Sequence, residues 1–251
     1  MRRAFAIGAV AACLFVPSIA AAAADTGWYI GYSQGQARAS EPPPYSSQTF
    51  EFQTSYGGVI SDQSSDQQST GKRFEGGYWF NPYLGLQAGV VDLGDYSAQA
   101  MVHAGGQFQN CQGPTCNFRF IDSPRVKVRG QTLVVTGAWP FAGGFEVIGR
   151  LGVFRNRATY DDSGNVLLTP GGAPPAPYSI VRNGTGSIYG ISVGWNFATH
   201  WEVLLAWDRY RGIGDDQLFG SYVTGNLQTQ VFTLFGKFDV SLLSLGAQYH
   251  F

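Results

Sequence analysis

Three histidines are all that this sequence offers for moving protons near neutral pH. None keeps the company that hydrolysis or acyl transfer requires, because a serine or water nucleophile needs an imidazole base that is itself oriented by an acid. His103 has no serine or acid beside it, His200 sits after Ala198-Thr199 in a short turn, and His250 is the penultimate residue. No His-x-Ser element occurs. The chain is therefore not expected to be an enzyme, and modification of lipid A or phospholipid stays a distant alternative.

The remaining groups with chemistry are scattered polar side chains: Glu75, Gln87, Glu146, Arg150, Glu202 and Asp208. Each falls in a stretch where apolar and small or polar residues alternate with period two, which is the pattern of a strand with two unlike faces. VSLLSLGAQYHF, Val240 to Phe251, shows it plainly, with Leu243, Leu245, Ala247, Tyr249 and Phe251 against Ser244, Gly246, Gln248 and His250. An apolar face on so exposed a chain end fits a membrane barrel, with lipid outside and a polar lumen inside. On this reading the six polar residues line the lumen, where bulk and mixed charge predict a plug of hydrogen bonds and ion pairs. Arg150 is expected to pair with Glu146, Glu75 or Glu202.

Residues 1–24 read as a secretory signal peptide. Arg2 and Arg3 precede an apolar run from Ala4 to Val16, and a small-residue stretch ends at Ala24. Val10-Ala11-Ala12-Cys13 loosely resembles a lipoprotein processing site, but the apolar segment continues past Cys13 and a better cleavage site follows. Residues 25–251 then form one barrel domain. With 13% charged residues and a formal net charge of −1, nothing points to nucleic acid. No later stretch approaches the roughly 20 apolar residues of a membrane helix, so a membrane crossing must use a closed barrel. Cys111 and Cys116, in CQGPTC, are expected to form a small loop disulfide in an oxidising exported setting, free thiols being the alternative. Two sulfurs without a histidine pair or further cysteines do not complete a tetrahedral shell, so no metal or other cofactor is expected.

Eight alternating stretches are predicted: Thr26 to Ser33, Arg73 to Phe80, Leu84 to Gly94, Val126 to Trp139, Phe145 to Tyr160, Gly186 to Phe197, Trp201 to Tyr210, and Val240 to Phe251. Long loops at about 37–70, 97–124, 161–185 and 211–239 alternate with short turns at Asn81-Pro82-Tyr83, Pro140 to Gly144 and Ala198-Thr199-His200. Phe50 to Tyr56 and Gln230 to Phe238 are stretches that could prolong strands beyond the membrane. This asymmetry predicts an all-β, eight-stranded antiparallel up-and-down transmembrane barrel, with turns in the periplasm and loops outside the cell. Trp28, Tyr78, Phe80, Trp139, Phe145, Trp195, Phe197 and Trp201, with Tyr249 and Phe251, all fall at the turn ends, as a periplasmic aromatic girdle would. A soluble lipocalin also has eight strands, and Gly27-x-Tyr29 with Trp28 suits one. It would carry its bulky residues inside and a helix after the barrel, and no such helix is signalled.

WYIG at the start, FEGGYWFNPYLGLQAGVVDLG, GRLG, GIGD and LSLGAQYHF occur in an order that resembles the OmpA-type transmembrane barrels of Gram-negative outer membranes. The resemblance covers nearly all of residues 25–251 and lapses in the loops. It implies an outer-membrane location, lipid and lipopolysaccharide as surroundings, and recognition of the terminal aromatics Tyr249 and Phe251 by the barrel assembly machinery. It further implies loops able to meet host or other cell-surface ligands. Many members append a peptidoglycan-binding domain; nothing follows Phe251 here, so that tethering role is not expected. The family archetype's lumen gate falls near Gln87, Thr136 and Ala206, none of them charged, so that gate is not inherited. The reading is a structural, surface-displaying barrel, with a narrow channel as the alternative.

Overall fold

The computed structural model describes residues 26–40, 58–104, 118–122, 124–162, 165–167, 178–214 and 237–251. Residues 1–24, expected to be a signal peptide, Cys111, Cys116, the stretch Phe50 to Tyr56 and most of Gln230 to Phe238 lie outside those residues. In chain order the strands are β1 (Gly27–Ala39), β2 (Gly58–Asp66), β3 (Gln68–Asn81), β4 (Leu84–Ala104), β5 (Phe118–Asp122), β6 (Pro124–Phe141), β7 (Phe145–Asp162), β8 (Asn165–Leu167), β9 (Tyr178–Ala198), β10 (Trp201–Ile213) and β11 (Phe238–His250). The eight longer ones, all but β2, β5 and β8, pair antiparallel, each with its sequence neighbours in the ring. The β3–β4 and β1–β11 pairings complete the expected eight-stranded barrel.

The closing seam is long. β1 and β11 pair from Tyr29↔His250 to Ala39↔Val240, and past the strand end the Phe251 amide donates to the Trp28 carbonyl at 3.0 Å. Every wall strand thus has partners on both sides, which leaves no unpaired edge to satisfy in lipid.

Two of the three short turns are built from local chemistry. Asn81 Oδ1 accepts from the amides of Tyr83 and Leu84, both at 2.9 Å, an Asx turn that reverses the chain between β3 and β4. Ala142–Gly144 is a single 3-10 turn in which Gly143 and Gly144 take φ of 82° and 75°, a region open to glycine.

Side-chain parity follows the sequence pattern through the membrane zone. On β3, Phe74 and Phe80 are exposed on the outer wall while Arg73, Glu75 and Trp79 are buried in the lumen. From Phe145 to Val153 on β7 the outward apolar band covers about eight steps of roughly 3.3 Å. Tilted near 40°, they give a height of about 20 Å, close to a bilayer core.

Two expectations are corrected. The strands run well past the assumed loop boundaries: β1 reaches Ala39, β2 begins at Gly58, β4 continues to Ala104, β6 starts at Pro124, and β9 at Tyr178. His103 accordingly sits on β4, opposite Val59 of β2, and not in a loop. Serine, glutamine and threonine extend these strands because neighbouring strands satisfy their backbones whatever the side chains are.

The lumen, secondly, is not polar throughout. Toward the loop end it is filled by an apolar cluster that includes Leu93, Tyr96, Val126, Val128, Phe154, Tyr160, Ile213, Phe238 and Val240, all but fully buried. The alternation inverts at the edge of the lipid band. On β6, Leu133 and Val135 point out and Thr132 and Thr136 in, whereas above them Lys127 and Arg129 point out and Val126 and Val128 in. Above the bilayer, water lies outside, so the hydrophobic effect turns the apolar side inward.

Candidate functional site

Beneath the apolar cluster lies a polar layer. Glu75 on β3, Gln87 on β4, Arg150 on β7 and Asp208 on β10 all face it and are buried. Arg73, also on β3, forms an ion pair with Glu75, Nε to Oε2 at 2.6 Å, and donates from its Nη1 to Asp208, and Arg150 Nε lies 3.3 Å from Asp208 Oδ1. Gln87 donates to Glu75, Gln248 donates to the other oxygen of Glu75 at 3.0 Å, and the Tyr29 hydroxyl approaches Gln87 Oε1 at 3.4 Å. Two guanidinium groups thus face two carboxylates. Charge balance is what allows a buried cluster to persist, since an unpaired ion would bear the full desolvation penalty.

The register explains who meets whom. Arg150 on β7 and Asp208 on β10 are both paired to Gly190 of the intervening β9. A Cβ on Gly190 would stand 2.1 Å from Asp208 Oδ1. The missing side chain is the gap through which two next-neighbour strands exchange charge. Arg150 therefore pairs with Asp208, and not with Glu146, Glu75 or Glu202 as the sequence suggested.

Glu146 and Glu202 occupy the turn-side end of the lumen, both buried. They lean over Gly194, whose Cβ position is 1.8 Å from Glu202 Oε1 and 3.1 Å from Glu146 Cγ. Glu202 Oε2 lies 3.3 Å from His250 Nε2, and the His250 ring stacks on Tyr29 with centroids 5.6 Å apart. A small apolar group of Tyr29, Trp79, Ala138, Ile148 and Leu204 packs around them.

Sequence reasoning missed Arg73 and Gln248 as members of this layer. Both sit at lumen parity in strands whose faces had been assigned, and Arg73 is the side chain that joins Glu75 to Asp208. The signal was there in Arg73-Phe74-Glu75, where two opposite charges two residues apart on a strand share a face.

At the turn end the aromatics form runs around the outer wall. Trp28, Tyr78 and Phe80 contact in sequence at 5.1 and 5.4 Å, and Phe141, Phe145, Trp195 and Phe197 at 5.9, 6.0 and 5.8 Å. Trp201, Tyr249 and Phe251 follow at 5.1 and 5.2 Å, while Trp139 is 74% exposed on the same belt.

The sequence matches the family model described as "Outer membrane protein beta-barrel domain" over residues 9–251. A search of curated proteins finds no match. Among solved structures the chain is similar to OprG of Pseudomonas aeruginosa, at 13% identity and a TM-score of 0.45, covering 90% of this chain and 97% of that one. Ail, the attachment invasion locus protein of Yersinia pestis, matches at 14% identity and a TM-score of 0.40 with the same coverage. OmpT, the outer membrane protease of Escherichia coli, matches at 10% and 0.44, covering 91% and 97%. The closed ring, the lipid-facing band, the aromatic belt and a family match over almost the whole chain agree on one location, the bacterial outer membrane, and the chain belongs to the outer-membrane β-barrel family.

Proposed function

We propose that the protein is a structural outer-membrane barrel, neither pore nor catalyst, that holds its long connections on the outside of the cell. The observation that carries this reading is the two-layer filling of the lumen. The Arg73–Glu75–Asp208–Arg150 cluster lies below an apolar layer of Leu93, Val126, Phe154 and Ile213. An ion moving through would have to break the first and shed its hydration in the second, and eight strands leave room for side chains and little else.

In this reading the turns face the periplasm and the four long connections face outward, available to host or cell-surface ligands. Cys111 and Cys116 would be bridged outside the membrane. Tyr249 and Phe251 would present the chain end to the assembly machinery. The test is electrical: purified protein in planar bilayers gives no steady open conductance. A reproducible ohmic open state would make it a channel instead. Incubation with lipid A micelles is expected to leave the acyl chains intact, and release or transfer of an acyl group would make it an enzyme.

A further inference from the structure

The outer wall of β3, β4, β6 and β7 carries an unusual concentration of cations immediately above the lipid band. Reading across paired strands, one row is Lys72, Asp92, Arg129, Arg157 and Asn183, and the next row toward the membrane is Phe74, Val90, Gln131 and Arg155. All four cations point outward and are exposed. Arg129 stands directly opposite Arg157 on the paired strand, an arrangement that costs stability unless an anion lies between them. Among the described residues Asp92 is the sole carboxylate lining this recess; its Oδ2 accepts from Arg129 Nε at 2.8 Å and its Oδ1 from the Gly94 amide at 3.0 Å. Lys72, Arg155 and Arg157 make no ion pair among the described residues.

The recess continues toward the membrane as an apolar groove. Its floor is Gly76 and Ala88, with no side chain beyond a methyl, and its walls are Phe74, Val90, Leu133 and Val153. A Cβ on Gly76 would make only ordinary contacts, with the Tyr29 carbonyl at 3.5 Å and Ile30 Cγ2 at 3.9 Å, so no neighbour requires glycine on this floor. Cations at the water boundary above a slot in the lipid-facing wall match a ligand with an anionic head and an acyl tail. Arginine forks suit phosphate because they bind it bidentately.

We propose that this wall holds one phosphorylated acyl glycolipid of the outer leaflet, of lipid A chemistry. Arg129, Arg155 and Arg157, with Lys72, take a phosphate, and one acyl chain lies over Gly76 and Ala88. The site rests on the orientation given above, with the loop end outward, but not on whether the lumen conducts. Its consequence is that the barrel carries a bound lipid at a fixed position on its circumference.

The test is native mass spectrometry of the full folded protein released from detergent, titrated with bis-phosphorylated lipid A. The wild type is expected to retain a single lipid A. R129Q/R155Q/R157Q is expected to retain it at least tenfold more weakly, while R38Q/R125Q, on exposed arginines outside the groove, is unchanged. G76L, which fills the slot and leaves the cations, is also expected to weaken retention, and lipid A stripped of both phosphates is expected to bind like detergent. Heat-modifiable gel mobility confirms that each variant is folded. Equal retention by the triple arginine variant, or by dephosphorylated lipid A, would overturn the site. So would full displacement by millimolar inorganic phosphate, which would reduce it to an anion patch. An open conductance in planar bilayers would sink the structural reading and leave this one standing.

Discussion

Replacing Gly190 by alanine tests the lumen network at its narrowest point. The added methyl would stand 2.1 Å from Asp208 Oδ1 and 2.6 Å from the Trp207 carbonyl oxygen, where ordinary contact begins at 3.4 Å. The carbonyl belongs to the paired β10 backbone and cannot retreat without parting the strands, so the carboxylate must swing away by more than an ångström. Asp208 Oδ1 is the atom that Arg150 reaches, at 3.3 Å, and Arg73 is held by the other oxygen. Breaking a buried pair costs about 3–5 kcal/mol when a partner is removed, and overpacking costs about 1–3 kcal/mol. Since the carboxylate is displaced and not deleted, the expected loss is about 3 kcal/mol, roughly two orders of magnitude in the folding constant. In an ordinary strand the same change would stabilise by about 0.5–1 kcal/mol, so the sign itself discriminates. Urea titration of protein folded into phospholipid vesicles, followed by gel mobility, gives the number. Gly149→Ala, on the lipid face with the nearest atom 3.9 Å away, is the control and is expected to leave stability unchanged or to raise it by up to about 1 kcal/mol. If Gly190→Ala unfolds at the wild-type urea concentration, the claim that this glycine makes room for the ion pair is wrong.

Further outcomes follow from the outer wall and the chain end. Leu151 is 67% exposed within the lipid-facing band of β7, so Leu151→Arg is expected to destabilise vesicle-folded protein by about 2–4 kcal/mol; a negligible change would mean that this face does not meet hydrocarbon. Phe251→Ala keeps the backbone bond from residue 251 to Trp28, so refolding in detergent should proceed normally while the folded amount in cellular outer membranes drops several-fold. Equal amounts in cells would remove Phe251 as an assembly signal. Alkylation of denatured, unreduced mature protein should label neither Cys111 nor Cys116, with both labelled after reduction; labelling without reductant would show free thiols.

How far the sequence carried depended on which solvent each face meets. Within the bilayer, lipid outside and side chains inside give every strand the same phase. Parity alone therefore put Phe74, Leu133 and Leu245 on the wall and Glu75, Asp208 and Gln248 inside. The turns were legible because Asn81 and the Gly143-Gly144 pair have local chemistry of their own. Above the bilayer the phase reverses, and Val126-Lys127-Val128-Arg129 or Phe154 through Tyr160 then read as the ends of strands running into loops. In fact they are the wall of a water-facing barrel with a dry centre. Ion-pair partners were not legible, because they depend on which residues share a row across strands. Gly190 carries that information only once β7, β9 and β10 are in register.

A thiol placed inside the lumen tests directly whether packed side chains close it. Ile188 is 1% exposed within the apolar layer. In a Cys111→Ser, Cys116→Ser background, Ile188→Cys is expected to resist a membrane-impermeant maleimide in the folded barrel and to react fully once boiled. Rapid modification of the folded protein, from either side of the membrane, would mean that water and solutes reach the layer and that the barrel is an open conduit.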